Sequence, residues 1–229
     1  MKIYNYFKDL TRFEKRLFAV SLIVVTLSFL FSEGAWLNLV ASLIGVTALI
    51  FVAKGYIIGQ ILSVVFAIFY GYISFHFRYY GELITYMCMT APIALAAVIS
   101  WYKNPYKDTS EVTVDRLSRK QIAAVSVLSI IVTVLFYFVL KHFDTANLLF
   151  STLSVTTSFL AVSFTYLRSP LYALAYSAND MVLIVLWVLA TLEDIKYLPM
   201  IFCFIMFLVN DLYGYYNWKR IEKRQKEEG

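Results

Sequence analysis

Residues 121–140 have the sequence QIAAVSVLSIIVTVLFYFVL, and these twenty positions contain no Asp, Glu, Lys or Arg. A helix that crosses the hydrocarbon core of a bilayer needs about 20 such residues. Further long intervals without these charged residues lie between Glu33 and Lys54, Lys54 and Arg78, Glu82 and Lys103, and Asp144 and Arg168. The chain is therefore predicted to be an all-α integral membrane protein with several spanning helices.

The composition supports this prediction. Hydrophobic residues make up 61% of the chain and the mean hydropathy is +0.71, which is more apolar surface than a soluble domain of 229 residues could bury. Both cysteines, Cys88 and Cys203, lie inside apolar runs, so neither a disulfide framework nor a thiolate metal site is indicated. The pattern predicts eight spans, at about residues 17–32, 36–53, 56–76, 82–101, 121–140, 145–167, 170–192 and 197–218.

The distribution of Lys and Arg predicts the orientation. Eight spans place both termini on one side, and alternate counting assigns 17 basic residues to that side and three, Arg78, Lys141 and Lys196, to the other. Because basic residues concentrate in cytoplasmic loops, both termini are expected to be cytoplasmic. The net charge of +5 follows from this topology, so no nucleic-acid partner is indicated, and the tail from Lys219 is expected to meet lipid headgroups.

The chain also contains a weak internal repeat. Residues 36–103 resemble residues 145–220 in layout: the hairpin at Lys54 aligns with that at Arg168 at an offset of 114, and Trp101 aligns with Trp218 at 117. Each block has three spans, and the extra span between the blocks makes the repeats parallel. The predicted parts are a leading segment 1–33, a first repeat 34–103, a loop and linker helix 104–143, a second repeat 144–220 and a tail 221–229.

Several motifs resemble one family of vitamin transporters. They are Phe-Val-Ala-Lys54-Gly55, Tyr80-Gly81-Glu82, Ala-Asn179-Asp180 with Leu-Trp187, and Val-Asn210-Asp211-Leu-Tyr213-Gly214. They are similar to the Pnu family, and most of all to its PnuC branch, which carries nicotinamide riboside. The resemblance implies a SWEET-like fold of three plus one plus three helices, here preceded by a leading helix, in a bacterial plasma membrane. It also implies facilitated diffusion, followed by trapping through a cytoplasmic kinase.

Polar residues at bilayer depth mark the candidate substrate site. An acidic side chain at the centre of a span costs about 2.5 to 3.5 kcal/mol, so such residues are expected to face the interior of the bundle. At 100° per residue, four spans each present a face with aromatic and amide or acidic side chains. The candidate binding residues on these faces are Gln60, Tyr70, Tyr86, Tyr176, Asn179, Asp180, Trp187, Asn210 and Asp211.

This set suits a flat heteroaromatic ring on a sugar, because aromatic faces stack on rings while amides bind carboxamide and hydroxyl groups. Thiamine, riboflavin and deoxynucleosides remain alternative substrates, since Val65 and Phe66 stand where the riboside branch has amides. Asp180 and Asp211 could instead form a structural pair, or titrate in an ion-coupled carrier. Neither an enzymatic nucleophile nor a nucleotide fingerprint is present, so no catalysis, metal or cofactor is predicted.

The remaining aromatic and polar residues have simpler interpretations. Trp36, Trp101, Tyr197 and Trp218 are expected to belong to the interfacial belt, where aromatic side chains are enriched. Glu82 lies at the start of its span and is explained by the helix dipole. A homo-oligomer is possible.

The charge distribution leads to a test of topology. Reporters fused to the N- and C-termini in a bacterial host should both report a cytoplasmic location, because 17 of the 20 basic residues lie on that side. A fusion in the loop near Lys141 serves as a control and should report the opposite side of the membrane. Termini on opposite sides would mean that one predicted span, most simply the short first one, lies in the interface.

Overall fold

The computed structural model describes residues 6–30, 36–76 and 83–228. In this part of the chain the structure contains eight long helices. They are α1 (Arg12–Leu30), α2 (Trp36–Ala53), α3 (Ile57–His76), α4 (Thr85–Lys103), α5 (Arg119–His142), α6 (Leu148–Tyr166), α7 (Leu171–Glu193) and α8 (Leu198–Glu227). The turn Ile195–Tyr197 before α8 is a 3₁₀-helix. The predicted Tyr80-Gly81-Glu82 segment and Arg78 lie outside the described residues.

The all-helical prediction is confirmed, and each predicted span corresponds to one helix. Within the described residues, six helices are long and apolar enough to cross a membrane: α2, α4, α5, α6, α7 and α8 with its preceding turn. Helix α3 is apolar over Ile57–Ile73, and α1 begins with charged residues. Helix α8 continues to Glu227, beyond the predicted end at residue 218.

Helix α1 is held to the bundle by polar contacts. The Thr11 hydroxyl accepts from the Glu14 N–H (3.2 Å) and the Glu14 carboxylate accepts from the Thr11 N–H (2.6 Å), which caps the helix start. The buried Glu14 also accepts from the Tyr213 hydroxyl of α8 (2.5 Å) and pairs with Lys54 (3.4 Å), at the turn after α2. These contacts fix α1 against α2 and α8.

A π-helical turn opens α4. Residues Thr85–Thr90 are π-helical, and the Ala91 N–H donates to the Tyr86 carbonyl, five residues earlier. Pro92 follows directly, and a proline in a helix lacks the N–H that would bond four residues back and crowds that carbonyl. The wider turn brings Tyr86 and Thr90 to one side, whereas Met89 packs against α5 and α6.

The turns after α2 and α6 have the same hydrogen-bond pattern. The Tyr56 N–H donates to the Phe51 carbonyl and the Ser169 N–H donates to the Phe164 carbonyl, each spanning five residues. Gly55 (φ +71°) and Arg168 (φ +54°) occupy the left-handed position of this C-terminal motif. Gly55 is therefore the structural equivalent of Arg168. The offset between the two hairpins is 113, and not the 114 obtained by aligning Lys54 with Arg168.

Six helices form a closed ring. Helices α2, α3 and α4 pack in sequence, as do α6, α7 and α8, and the ring closes through contacts of α2 with α8 and of α4 with α6. We refer to α2–α4 as the first block and α6–α8 as the second block. Helix α1 packs on α2 and α8 outside the ring, and α5 packs on α6. Gly59 lets α3 approach α2, because a Cβ there would lie 2.4 Å from the Val52 nitrogen.

Hydrogen bonds cross between the blocks in matched pairs. The Trp218 indole donates to the Val52 carbonyl (2.8 Å), and the Trp101 indole donates to the Thr165 carbonyl (2.9 Å). The residue before each tryptophan makes a similar bond to the following carbonyl. The Asn217 amide donates to Ala53 (2.8 Å), and the Ser100 hydroxyl donates to Tyr166 (2.9 Å). The donors are related by an offset of 117 and the acceptors by 113, as expected for two equivalent blocks that exchange the same contacts.

The belt interpretation was wrong for two tryptophans. Trp101 and Trp218 are 2% and 0% exposed, and their rings meet in the interior with centroids 5.4 Å apart. Trp36, by contrast, is 65% exposed, as an interfacial residue would be. Both indole N–H groups are satisfied by backbone carbonyls of the opposite block, which explains how these side chains can be buried.

Candidate substrate-binding site

A vestibule of about 410 Å³ occupies one end of the ring. Its mouth is formed by exposed residues of the α5–α6 and α7–α8 connections, including Asp144, Asn147 and Glu193. Deeper, its wall is formed by α3, α4, α6 and α7. The opposite end carries both hairpins and the C-terminus of α8, and we call it the hairpin end. A volume of this size falls within the range of small-molecule sites.

A smaller cavity of about 90 Å³ continues from the vestibule toward the hairpin end. The two cavities share Tyr86, Ser158, Asn179 and Leu183, so these residues form the waist between them. The inner cavity has less than a quarter of the volume of the vestibule. A ligand that fits the vestibule would therefore need a rearrangement to pass deeper.

Aromatic rings form one continuous wall. Trp187 lies between Tyr197 (centroids 5.7 Å apart) and Phe204, on which it stacks at 6.4 Å with an interplanar angle of 15°. The series continues through Phe207 to Phe66, which contacts Tyr86 and Tyr70. Tyr70 and Tyr86 are only 4.5 Å apart. Such a wall offers several ring faces to a planar ligand.

Polar groups with no protein partner face these cavities. Gln60 and Asn179 are 3% and 5% exposed, and their amides make no hydrogen bond in the part of the chain that the structure describes. Thr90 Oγ1, Asp180 Oδ2 and the Trp187 indole N–H are also buried without a partner among the described residues. Ser177 Oγ and Asn210 Oδ1 are unpaired in the same way but lie outside both cavities. An unpaired buried group costs about 1 to 3 kcal/mol, so the polar groups that do face the cavities indicate a ligand site.

The charge of the cavities has one sign. Their described linings contain four carboxylates, at Asp144, Asp180, Glu193 and Asp211, and no Lys or Arg. Asp180 and Asp211, both buried, lie within hydrogen-bonding reach of each other between α7 and α8. A carboxylate pair at this depth needs a shared proton or a cation. The site therefore favours cationic or neutral ligands over anions.

The structure brings together most of the predicted site residues. Eight of the nine candidates line the cavities: Gln60, Tyr70, Tyr86, Tyr176, Asn179, Asp180, Trp187 and Asp211. Asn210 does not, because its amide donates to Ser21 of α1 (2.9 Å) and to the Met206 carbonyl (2.7 Å). One position on a helix is a rotation of 100°, which is enough to turn Asn210 away while Asp211 faces inward.

Sequence reasoning missed the contribution of α6 and of the loops. Ser154 and Ser158 of α6 line the vestibule, together with Asp144, Asn147 and Glu193 at its mouth. Serine is also common in helix packing, so the serines alone gave no signal. The loop carboxylates lie outside the apolar runs, and only the packed connections bring them together.

The chain also matches a known family of proteins. The model of the family described as nicotinamide mononucleotide transporter matches residues 35–220. The chain belongs to this family, the Pnu transporters. Its members are membrane transporters, which confirms the expected membership and the expectation that the chain is not an enzyme.

Relatives and a solved structure agree along nearly the whole chain. The "Nicotinamide riboside transporter PnuC" of Neisseria mucosa is 26% identical over 219 residues, which cover 93% of this chain and 83% of that protein. The protein of the same name from Haemophilus influenzae is 23% identical, covering 93% and 92%. A crystal structure of the vitamin B3 transporter PnuC superposes with a TM-score of 0.81 at 26% identity, covering 94% of each chain.

The different surroundings of Asn179 and Asn210 can be tested by thiol labelling. In a background with Cys88 and Cys203 replaced by alanine, Asn179→Cys should react with a water-soluble maleimide, because position 179 lines both cavities. Asn210→Cys, packed against α1, should stay unlabelled until the protein is denatured. Equal labelling of the two variants in folded protein would contradict the geometry of the site.

Proposed function

We propose that this Pnu transporter carries nicotinamide riboside across the membrane by facilitated diffusion. The observation that carries the proposal is the combination of an aromatic wall, amides at Gln60 and Asn179 that have no partner among the described residues, and buried carboxylates in a described lining without Lys or Arg. The names of the two relatives and of the solved structure support the same substrate.

Each part of nicotinamide riboside finds suitable chemistry in the cavities. The positively charged pyridinium ring suits Trp187 and the Tyr70–Tyr86 pair, since a cation over an aromatic face gains about 0.5 to 2 kcal/mol. The carboxamide and ribose hydroxyls both donate and accept, as do the amides of Gln60 and Asn179. Asp180 and Asp211 balance the positive charge at depth.

The same lining argues against the phosphorylated form. The family description names the mononucleotide, whose phosphate would need Arg, Lys or a helix N-terminus as a partner. The described lining has no Lys or Arg, and its four carboxylates repel an anion. It does contain the start of α6 at Asn147, but the carboxylate of Asp144 lies three residues before it in the same lining. We therefore take the riboside as the transported form and a cytoplasmic kinase reaction, which adds the phosphate, as the step that prevents return.

We further propose eight spanning helices arranged as a leading helix plus three, one and three, with parallel repeats as in SWEET transporters. The matched hydrogen bonds between the blocks and the matched turns at Gly55 and Arg168 support this arrangement. The hairpin end gathers Lys54, Arg168 and the C-terminal basic residues. We assign it to the cytoplasm of a bacterium, so that the vestibule faces outward.

Proteoliposomes test the function. Purified protein should exchange labelled nicotinamide riboside at equal internal and external pH and sodium, and should not concentrate it when a proton or sodium gradient is imposed. Nicotinamide mononucleotide should not compete. Thiamine, riboflavin and deoxynucleosides should be tested in the same assay. Tighter binding of one of these compounds would identify it, instead of the riboside, as the substrate. Accumulation driven by a gradient and lost in Asp180→Asn would indicate a coupled carrier instead.

Substitutions in the lining should separate binding from folding. Trp187→Ala and Gln60→Ala should each weaken riboside binding by roughly tenfold or more, because each loses a contact worth about 1 to 3 kcal/mol. Titration calorimetry measures the affinity, and size-exclusion profiles check the fold. Trp36→Ala, at an exposed position, is the control and should bind normally. Unchanged affinity in both lining variants would show that the substrate binds elsewhere.

A further inference from the structure

Aromatic side chains close the route below the inner cavity. Tyr176 lines that cavity and contacts Tyr172 edge to face, with centroids 6.2 Å apart. Tyr172 contacts Trp218 at 4.8 Å, and Trp218 contacts Trp101 at 5.4 Å. Tyr172 and the two tryptophans are at most 2% exposed. Together they fill the space between the inner cavity and the hairpin end.

The two tryptophans also join the blocks to each other. Trp101 belongs to the first block and donates its indole N–H to α6 of the second, while Trp218 belongs to the second and donates to α2 of the first. The contacts of α2 with α8 and of α4 with α6 are thereby fixed at the hairpin end. The residues that block the route are thus the residues that hold the blocks together.

The loop 104–118 covers this closure from outside, and we call it the strap. Its Val112 is buried against Trp101, Trp218 and Tyr172. The Val112 N–H donates to the Gly55 carbonyl (2.9 Å) and the Asp115 N–H to the Arg168 carbonyl (3.0 Å). The strap therefore bonds to the hairpin of each block and adds to the linkage between them.

We propose that Trp101 and Trp218 are a two-part gate at the hairpin end, opened when both indole hydrogen bonds break and the blocks separate there. This inference rests on the proposed function, because a carrier with one central site must open to each side in turn. Equivalent residues act in the two blocks, so each tryptophan contributes equally. The strap must release at least one hairpin in the same step.

Replacing each indole with a smaller aromatic ring that lacks the N–H group tests the gate. In the cysteine-free background, Ser63→Cys places a thiol in the inner cavity. Trp101→Phe and Trp218→Phe should each raise its labelling rate by an impermeant maleimide applied at the hairpin end by roughly threefold to tenfold, since each loses one hydrogen bond but keeps a ring. Trp36→Phe is the control. This readout needs no substrate, so it stands even if nicotinamide riboside is not transported.

Two outcomes would overturn the proposal. Unchanged labelling in the double variant Trp101→Phe/Trp218→Phe would mean that these bonds do not control access. A lower melting temperature with equal labelling increases at position 63 from both ends would mean that the tryptophans only stabilise the fold. A faster rate at the hairpin end, with a slower rate at Ser154→Cys in the wall of the vestibule when the maleimide is applied from that side, is the expected result.

Cross-linking gives an independent test with a matched control. A Cβ at Gly214 would lie 3.6 Å from the Ala53 Cβ of the first block and 3.7 Å from the Ala173 Cβ of its own block, both within disulfide range. It would also lie 2.9 Å from the Tyr172 hydroxyl, so both cysteine pairs displace this side chain alike. Oxidised Ala53→Cys/Gly214→Cys should bind riboside from the vestibule but lose uptake until reduced. Oxidised Ala173→Cys/Gly214→Cys should keep uptake. Full uptake by the oxidised Ala53→Cys/Gly214→Cys protein would overturn the gate proposal. If the parent protein did not bind riboside, the proposed substrate would be wrong instead.

Discussion

The hydrocarbon core of a bilayer offers no hydrogen-bond partners, so every polar group at depth must find one inside the protein. The last carbonyls of a helix are unpaired by its own backbone. In this chain Ala53 and Tyr166, at the ends of α2 and α6, receive theirs from Asn217 and Ser100 of the opposite block. Each block therefore completes the other, which explains why the contacts between them come in matched pairs.

The same constraint helps to interpret the buried polar side chains that have no hydrogen-bond partner among the described residues. Asn210 satisfies its amide N–H groups with Ser21 and a carbonyl, and so behaves as a structural residue that fastens α1. Gln60 and Asn179 are equally buried yet have no partner within the described residues. Because both face a cavity, the missing partner is expected to be the substrate. Burial alone would not distinguish these amides, but the hydrogen bonds do.

The sequence predicted the helices and most of the lining because charge-free runs and helical periodicity depend on local residues. It could not separate Asn210 from Asp211, since the two differ by one helical step and the position of α1 decides their surroundings. It assigned Trp101 and Trp218 to the interface because their positions near span ends suggested it. Their burial depends on carbonyls more than 60 residues away in sequence, which no local pattern records.

The two blocks are joined to each other at the hairpin end. At the hairpin end, five hydrogen bonds between the blocks and the strap hold them together, the fifth donated by Arg168 to the Ser100 hydroxyl (3.0 Å). At about 0.5 to 1.5 kcal/mol each, the five bonds stabilise closure by roughly 2.5 to 7.5 kcal/mol. A substrate can shift this balance only by binding better to the form that is open at the hairpin end. Gln60 belongs to the first block and Asn179 to the second, so a ligand that bonds to both can offset the lost contacts while the blocks rearrange around it. A passive carrier needs no other source of energy for this step, because the same exchange of contacts returns it to the starting state.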